Sequence, residues 1–273
     1  GRFPVRWLKS FRTAENRTWI PPLVERAMAD FVLLAPPVAS LSVQGGGRFP
    51  VRRIYCVGRN YWDHGLEMGG NPEREPPFFF NKPADAAFDV SSSVGGAPVE
   101  LPFPSQCGDL HYEGELVLAV GGCGQDVSTD DALQLVWGYG VGVDLTRRDL
   151  QNEAKQMKRP WCTSKGFDFS GPVGELVPAA KFELAGKSIE LKVNGERKQF
   201  SDLSKMIWSA GEIIAHLSSF YRLEPGDLIF TGTPAGVGPL KQGDLCEVTV
   251  EGLPPCIFRV SAPLTMPEKK PRL

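Results

Sequence analysis

Glu113 and Glu115 stand at the head of Leu116-Val117-Leu118-Ala119-Val120, an apolar run with the length of a strand. Side chains two apart in a strand leave by the same face. Reading Leu110-His111-Tyr112-Glu113-Gly114-Glu115 as strand therefore points both carboxylates one way. Adjacent carboxylates repel each other, and a divalent cation between them removes that cost. A second apolar run, Tyr139-Gly140-Val141-Gly142-Val143, ends at Asp144, which can supply a third ligand. An all-oxygen set suits Mg²⁺, Mn²⁺ or Ca²⁺ better than zinc. A solvated edge strand with two exposed glutamates fits the same spacing, so spacing alone leaves both readings open.

The local signals around this stretch describe an α+β chain that is mostly β. Thirty glycines and 24 prolines in 273 residues imply many turns and short strands. Asn194-Gly195 predicts a type I′ hairpin. Ser128 with Asp131 predicts a capped helix running to about Trp137. Ser209-Ala210-Gly211-Glu212 is a capping box that opens a helix to about Phe220, with His216 a structural residue inside it. The six cysteines form no C-x-x-C pair and read as reduced thiols of a cytoplasmic protein. A net charge of −2 argues against a nucleic-acid partner, and no apolar run is long enough to span a bilayer.

Residues 1–27 hold six Lys/Arg against two Glu, a net of +4, and read as an extension outside the fold. Met28-Ala29-Asp30 has the look of a natural start. Residues 28–52, with Pro36-Pro37 and Gly45-Gly46-Gly47, read as an extended lead-in. A single catalytic domain is expected over 53–262, followed by a loose tail at 263–273.

Within that domain His64 and Glu67 are three apart, hence neighbours on one helical turn. A histidine beside a carboxylate can act as a general base, although a surface pair has the same spacing. Gly65, Gly69 and Gly70 limit the segment to a short, lid-like helix. Lys165 lies among apolar residues and glycine, which suits a partly desolvated lysine near a site as well as a loop lysine. Lys82, after Phe78-Phe79-Phe80-Asn81, can reach a site, although a solvated lysine is the favoured reading. Residues 145–151 form a polar segment suited to facing a site. The Gly-rich stretch 231–239 is not a P-loop, yet it can offer backbone N–H groups and a threonine hydroxyl to an anion.

Taken in order, these motifs resemble the fumarylacetoacetate hydrolase family. The matching segments are Val57-Gly58-Arg59-Asn60-Tyr61 with His64 and Glu67, Phe80-Asn81-Lys82-Pro83, and His111-Tyr112-Glu113-Gly114-Glu115. Gly142-Val143-Asp144-Leu145-Thr146-Arg147-Arg148-Asp149, Lys165-Gly166-Phe167-Asp168 and 231–238 complete the set. The resemblance implies a mixed β-sandwich or roll with short helices, assembled as a homodimer. It implies that Glu113, Glu115 and Asp144 hold Mg²⁺ or Mn²⁺, with Ca²⁺ as a substitute. His64 and Glu67 would be the water-activating dyad, Lys165 the active-site lysine, and Arg148, Gln151 and Thr233 contacts to a small 2-oxo acid. The implied reaction is hydrolysis of a 3-acylpyruvate, closest to the fumarylpyruvate hydrolase branch, in the breakdown of aromatic compounds. Isomerases, tautomerases and decarboxylases of the same family, and a non-catalytic carboxylate binder, are the alternatives. Trp62 departs from the small residue usual at its position, which bears on the acyl end of the substrate.

Overall fold

The structure is a computed structural model that describes residues 32–67, 69, 75–91 and 97–264; the expectations for 1–27 and 265–273 lie outside the described residues. The chain divides into two units, Gly1–Pro37 and Val38–Leu273, and every described helix and strand belongs to the second.

Two sheets pack face to face. The larger is mixed and runs in the order Phe78–Lys82, Arg53–Gly58, Asp227–Phe230, Gly114–Val120, Val136–Val143, Gly171–Val173, Ala87–Asp89, with Val177–Pro178 also paired to Val136–Val143. The smaller runs Glu196–Asp202, Ser188–Val193, Leu245–Val250, Cys256–Ser261, Val99–Pro102. Strand alternation decides which side chains meet. Leu116, Leu118, Val120, Val141 and Ile229 enter a core shared with Leu191, Val248 and Phe258 of the smaller sheet. Ile213, Ile214 and Leu217 of the helix Ala210–Phe220 join that core. Val117, Ala119, Cys56 and Phe230 point the other way, into a second core. The 116–120 run is apolar at every position because both of its faces are covered.

The second core is closed by a hairpin that the sequence reading placed in an extended lead-in. Ser40–Ser42 pairs antiparallel with Arg48–Pro50. Leu41, Phe49 and Val51 are all buried, and the Phe49 ring packs 5.3 Å from that of Trp137. Gly45, Gly46 and Gly47 all adopt positive φ and form the turn. The folded body thus begins before Arg53.

Two further boundaries differ from expectation. The helix capped by Ser128 ends at Ala132, a 3₁₀ turn takes Leu133–Leu135, and Trp137 lies in the strand Val136–Val143. Burial of Val136 and Tyr139 and pairing with Gly114–Val120 override the helical signal there. The strand expected to carry both glutamates is broken at Glu113. Leu110–Tyr112 joins a small sheet with Thr146–Arg147 and Gly238–Leu240, and Gly114–Val120 joins the large one. Glu113 sits at the switch, its carbonyl accepting from Asp144 N–H at 2.8 Å. The hairpin at Asn194-Gly195, with φ of +53° and +79°, and the capping box at Ser209 and Glu212 form as the sequence predicts.

Candidate active site

The sheet switch brings three carboxylates together at one end of the large sheet. Glu113 lies in the junction, Glu115 is the second residue of the Gly114–Val120 strand, and Asp144 lies just beyond Val136–Val143. One oxygen from each lies within 4.8 Å of the others, and all three residues are buried. Among the described residues this is the one set of three His, Cys, Asp or Glu side chains close enough to share a metal ion.

Their charges are balanced unevenly. Glu113 accepts from Arg148 at 2.6 Å and from Lys165 at 2.7 Å. Asp144 accepts from Lys165 at 2.7 Å. Burial pushes the Glu113 carboxyl up, but Lys165 and then Arg148 outweigh it and hold it well below the usual range. Burial likewise pulls the Lys165 ammonium down, and Asp144 and Glu113 reverse this, leaving it above the ordinary lysine value. Lys165 is therefore a charged donor at neutral pH. Among the described residues Glu115 accepts only from the Gly232 N–H, at 2.7 Å. Burial, then the charges of Asp144 and Glu113, push its carboxyl well up. Asp144 Oδ1 also accepts no hydrogen bond, although Lys82 Nζ stands 2.8 Å from it. A buried carboxylate without an ion-pair partner, beside two others, fits a hard divalent cation.

The segment expected to be lid-like is a six-residue helix, Trp62–Glu67, whose buried His64 lines the same cavity as Glu113 and Glu115. His64 Nδ1 lies 3.2 Å from Glu67 Oε2. A carboxylate facing Nδ1 favours the tautomer with its proton there, and in a neutral ring Nε2 is then the acceptor. Both Glu67 oxygens also accept from Gly236 N–H, each at 3.2 Å. A β-carbon at Gly236, where φ is +96°, would lie 2.1 Å from the Lys198 carbonyl, so only glycine lets the loop approach this closely. The Gly-rich loop does offer N–H groups to anions, but the described partners are the chain's own Glu115 and Glu67.

Arg148 and Gln151 are buried neighbours one turn apart on the helix Arg148–Gln156 and are bonded to each other. The Thr233 hydroxyl donates to the Gly114 carbonyl at 2.9 Å and accepts from Gln199 at 2.8 Å. The structure thus brings all nine sequence-predicted residues to one place, and all but Glu67 and Asp144 line a single small cavity of about 30 Å³. A larger cavity, about 650 Å³ and lined by residues such as Val90, Glu175 and Arg259, lies away from these groups.

Two residues were not legible as site residues. Lys82, expected to be solvated, is fully buried beside Asp144 and donates to the carbonyls of Leu145 and Lys165. The Phe-Asn-Lys-Pro segment carries no charge pattern that separates the two outcomes. Gln199 ties the smaller sheet to the site by accepting from Gly114 N–H and donating to Thr233 and Pro234. It lies in an edge strand with exposed polar neighbours, where nothing in the sequence marks it.

The chain matches the fumarylacetoacetate (FAA) hydrolase C-terminal family over residues 53–261. A fumarylpyruvate hydrolase from Ralstonia sp is 42% identical over 179 residues, which is 66% of this chain and 90% of that protein. The oxaloacetate tautomerase YcgM of Escherichia coli strain K12 is 38% identical over 206 residues, 75% of this chain and 90% of that one. The crystal structure of fumarylpyruvate hydrolase from Pseudomonas aeruginosa in complex with Mn²⁺ and pyruvate is 47% identical, with a TM-score of 0.81 over 85% of this chain and 100% of that one.

Proposed function

We propose, from the premise that this chain belongs to the fumarylacetoacetate hydrolase family, that it is a metal-dependent hydrolase of 3-acylpyruvates, with fumarylpyruvate its best substrate. The observation that carries this reading is that His64, paired with Glu67, lines one cavity with Glu113 and Glu115 of the carboxylate triad. The likeness to two fumarylpyruvate hydrolases supports the choice of substrate.

A Mg²⁺ or Mn²⁺ ion on Glu113, Glu115 and Asp144 supplies a Lewis acid for the 2-oxo acid half of the substrate. Arg148 fixes the orientation of Glu113 and, with Gln151, faces the pyruvyl end. Thr233 lines the same cavity, its hydroxyl aligned by Gln199. His64 Nε2 takes a proton from water, and Glu67 stabilises the imidazolium that forms. The water oxygen attacks the acyl carbonyl carbon. Lys165 donates to the negative charge that develops on the carbonyl oxygen. The carbon–carbon bond to the pyruvyl methylene then breaks, its electron pair entering the pyruvyl enolate. The proton on His64 ends on that carbon, which yields pyruvate and the free acid. The cavity as folded holds about one or two waters, so a seven-carbon dianion enters only when the lid helix moves. The chain works as a homodimer in the cytoplasm, on a route that degrades aromatic compounds.

The tautomerase relative favours a second reading, in which the same residues shift the keto–enol balance of oxaloacetate. A panel of fumarylpyruvate, maleylpyruvate, acetylpyruvate and oxaloacetate, each with Mg²⁺ and Mn²⁺, separates the two. Rapid release of fumarate and pyruvate is expected. Fast oxaloacetate tautomerisation with no acylpyruvate cleavage would replace the hydrolase reading with the tautomerase one.

A further inference from the structure

Among the described residues five cations stand near the cavity or its triad, and three of them have carboxylate partners. Arg148 and Lys165 pair with Glu113, Lys165 also with Asp144, and Lys82 with Asp144. Arg59 and Lys155 line the same cavity, and neither makes an ion pair among the described residues.

Both are delivered to it by ordered backbone. Lys155 shares a face of the helix Arg148–Gln156 with Arg148 and Gln151, at i, i+3 and i+7. Its ammonium lies 5.5 Å from the Trp161 ring centre, and Trp161 lines the cavity as well. Arg59 has φ of +55°, a left-handed conformation unfavourable for a residue with a β-carbon. It is held there by Asn60, whose amide donates to the Trp208 and Thr231 carbonyls at 3.0 and 2.8 Å and accepts from Trp208 N–H at 2.8 Å.

The helix also sets a length. Seven residues at about 1.5 Å rise place Lys155 roughly 10 Å along the axis from Arg148. A seven-carbon acylpyruvate dicarboxylate, six bonds of about 1.5 Å in a zigzag, measures about 7–8 Å between its carboxyl carbons. With the pyruvyl end at Arg148 and the triad, its far end reaches the part of the wall that carries Lys155. Burial, then the charges of Arg148 and Arg59, hold the Lys155 ammonium below its ordinary value. Three cations in one wall repel, and a bound carboxylate relieves that repulsion.

We infer that Arg59 and Lys155 form an anion subsite at the acyl end of the cavity, which selects substrates whose acyl group ends in a second carboxylate. This rests on the acylpyruvate reading above and extends it to the acyl group. Fumaryl and related dicarboxylic acyl groups satisfy the subsite, and an acetyl group does not.

The test compares kcat/KM for fumarylpyruvate and acetylpyruvate in wild type, Lys155→Met, Arg59→Met and Lys155→Arg. Each Met variant should lower the fumarylpyruvate-to-acetylpyruvate ratio about ten- to a hundredfold, mainly through KM, as expected for one charge-assisted hydrogen bond. Lys155→Arg should recover part of the ratio. Calorimetric titration with fumarate in the absence of turnover should show a loss of affinity in the same variants. A ratio that stays constant while wild type cleaves both substrates overturns the subsite and leaves the hydrolase reading intact. An equal fall for both substrates also overturns it, since that marks a structural role. If wild type cleaves neither, weaker fumarate binding in the variants still supports the subsite, and unchanged binding overturns it.

Discussion

Replacing Lys82 by methionine keeps the length of the side chain and removes a fully buried ammonium 2.8 Å from Asp144 Oδ1. The Leu145 carbonyl, 3.1 Å away, and the Lys165 carbonyl lose their donor at the same time. Removing one partner of a buried ion pair costs about 3–5 kcal/mol, and because Lys165 still pairs with Asp144 at 2.7 Å the loss here should fall toward the lower end of that range. For a domain of this size each kcal/mol moves Tm by about 2–4 °C, so Lys82→Met should melt below wild type by the lower part of a roughly 6–20 °C range. The loss should depend on metal. With Lys82 gone, Asp144 offers a bound cation more negative charge, so saturating Mn²⁺ should raise the variant's Tm by more than it raises wild type's. Circular dichroism melts at pH 7.5, in EDTA and in excess Mn²⁺, measure both effects. A variant within about 2 °C of wild type in EDTA would show that Lys82 does not compensate Asp144. Equal Mn²⁺ shifts in both proteins would detach Lys82 from the metal site.

Asp144→Ala should weaken Mn²⁺ binding beyond calorimetric detection and abolish turnover, since two mutually repelling glutamates remain; wild-type affinity would remove Asp144 from the ligand set. The raised Glu115 pKa gives a pH dependence with a defined sign. The folded, metal-free chain retains a proton there that the unfolded chain releases in the ordinary carboxylate range, so this contribution is fully present below that range and is lost as pH rises through the raised value. Melts in EDTA from pH 5 to 8.5 should show this decline, absent in Glu115→Gln, and the Mn²⁺ affinity of wild type should rise over the same interval as the proton is displaced. Leu41→Ala should cost about 2–5 kcal/mol in denaturant unfolding, because the hairpin side chain is fully buried in the second core; a loss under about 1 kcal/mol would mean the hairpin is dispensable.

The site was legible in the sequence to the extent that its residues sit in short motifs whose order is specific. Glu113, Glu115, Asp144, His64 and Lys165 each lie in such a motif, and the fold places all five around one centre. Position within an element was harder to read. Periodicity made Glu113 and Glu115 one strand, whereas the chain changes sheets between them, a choice made by partners from Thr146–Arg147 and Gly238–Leu240 far along the sequence. The same limit explains Trp137, whose local helical signal gives way to a half-buried position at the register shift of a strand that pairs with Gly114–Val120 and Val177–Pro178. Lys82 shows the converse for charge: a lysine's surroundings are set by which carboxylate the tertiary fold brings to it, here Asp144, 62 positions away in the chain. Leu41 and Phe49 looked like parts of a loose lead-in because their proline- and glycine-rich flanks dominate the local composition.

The most direct measurement is the pairing of hydrolysis rate and oxalate affinity in His64→Ala with Mn²⁺ present. If His64 Nε2 is the base that takes the proton from water, fumarylpyruvate hydrolysis should fall about 10²- to 10⁴-fold. Oxalate, a mimic of the pyruvyl end, should bind the variant as it binds wild type, because the triad, Arg148 and Gln151 are untouched. Glu67→Gln should lose part of the rate in the same way. Loss of oxalate affinity in step with the rate would make His64 a binding residue, and unimpaired hydrolysis would contradict the assignment of the lid pair as the water-activating group.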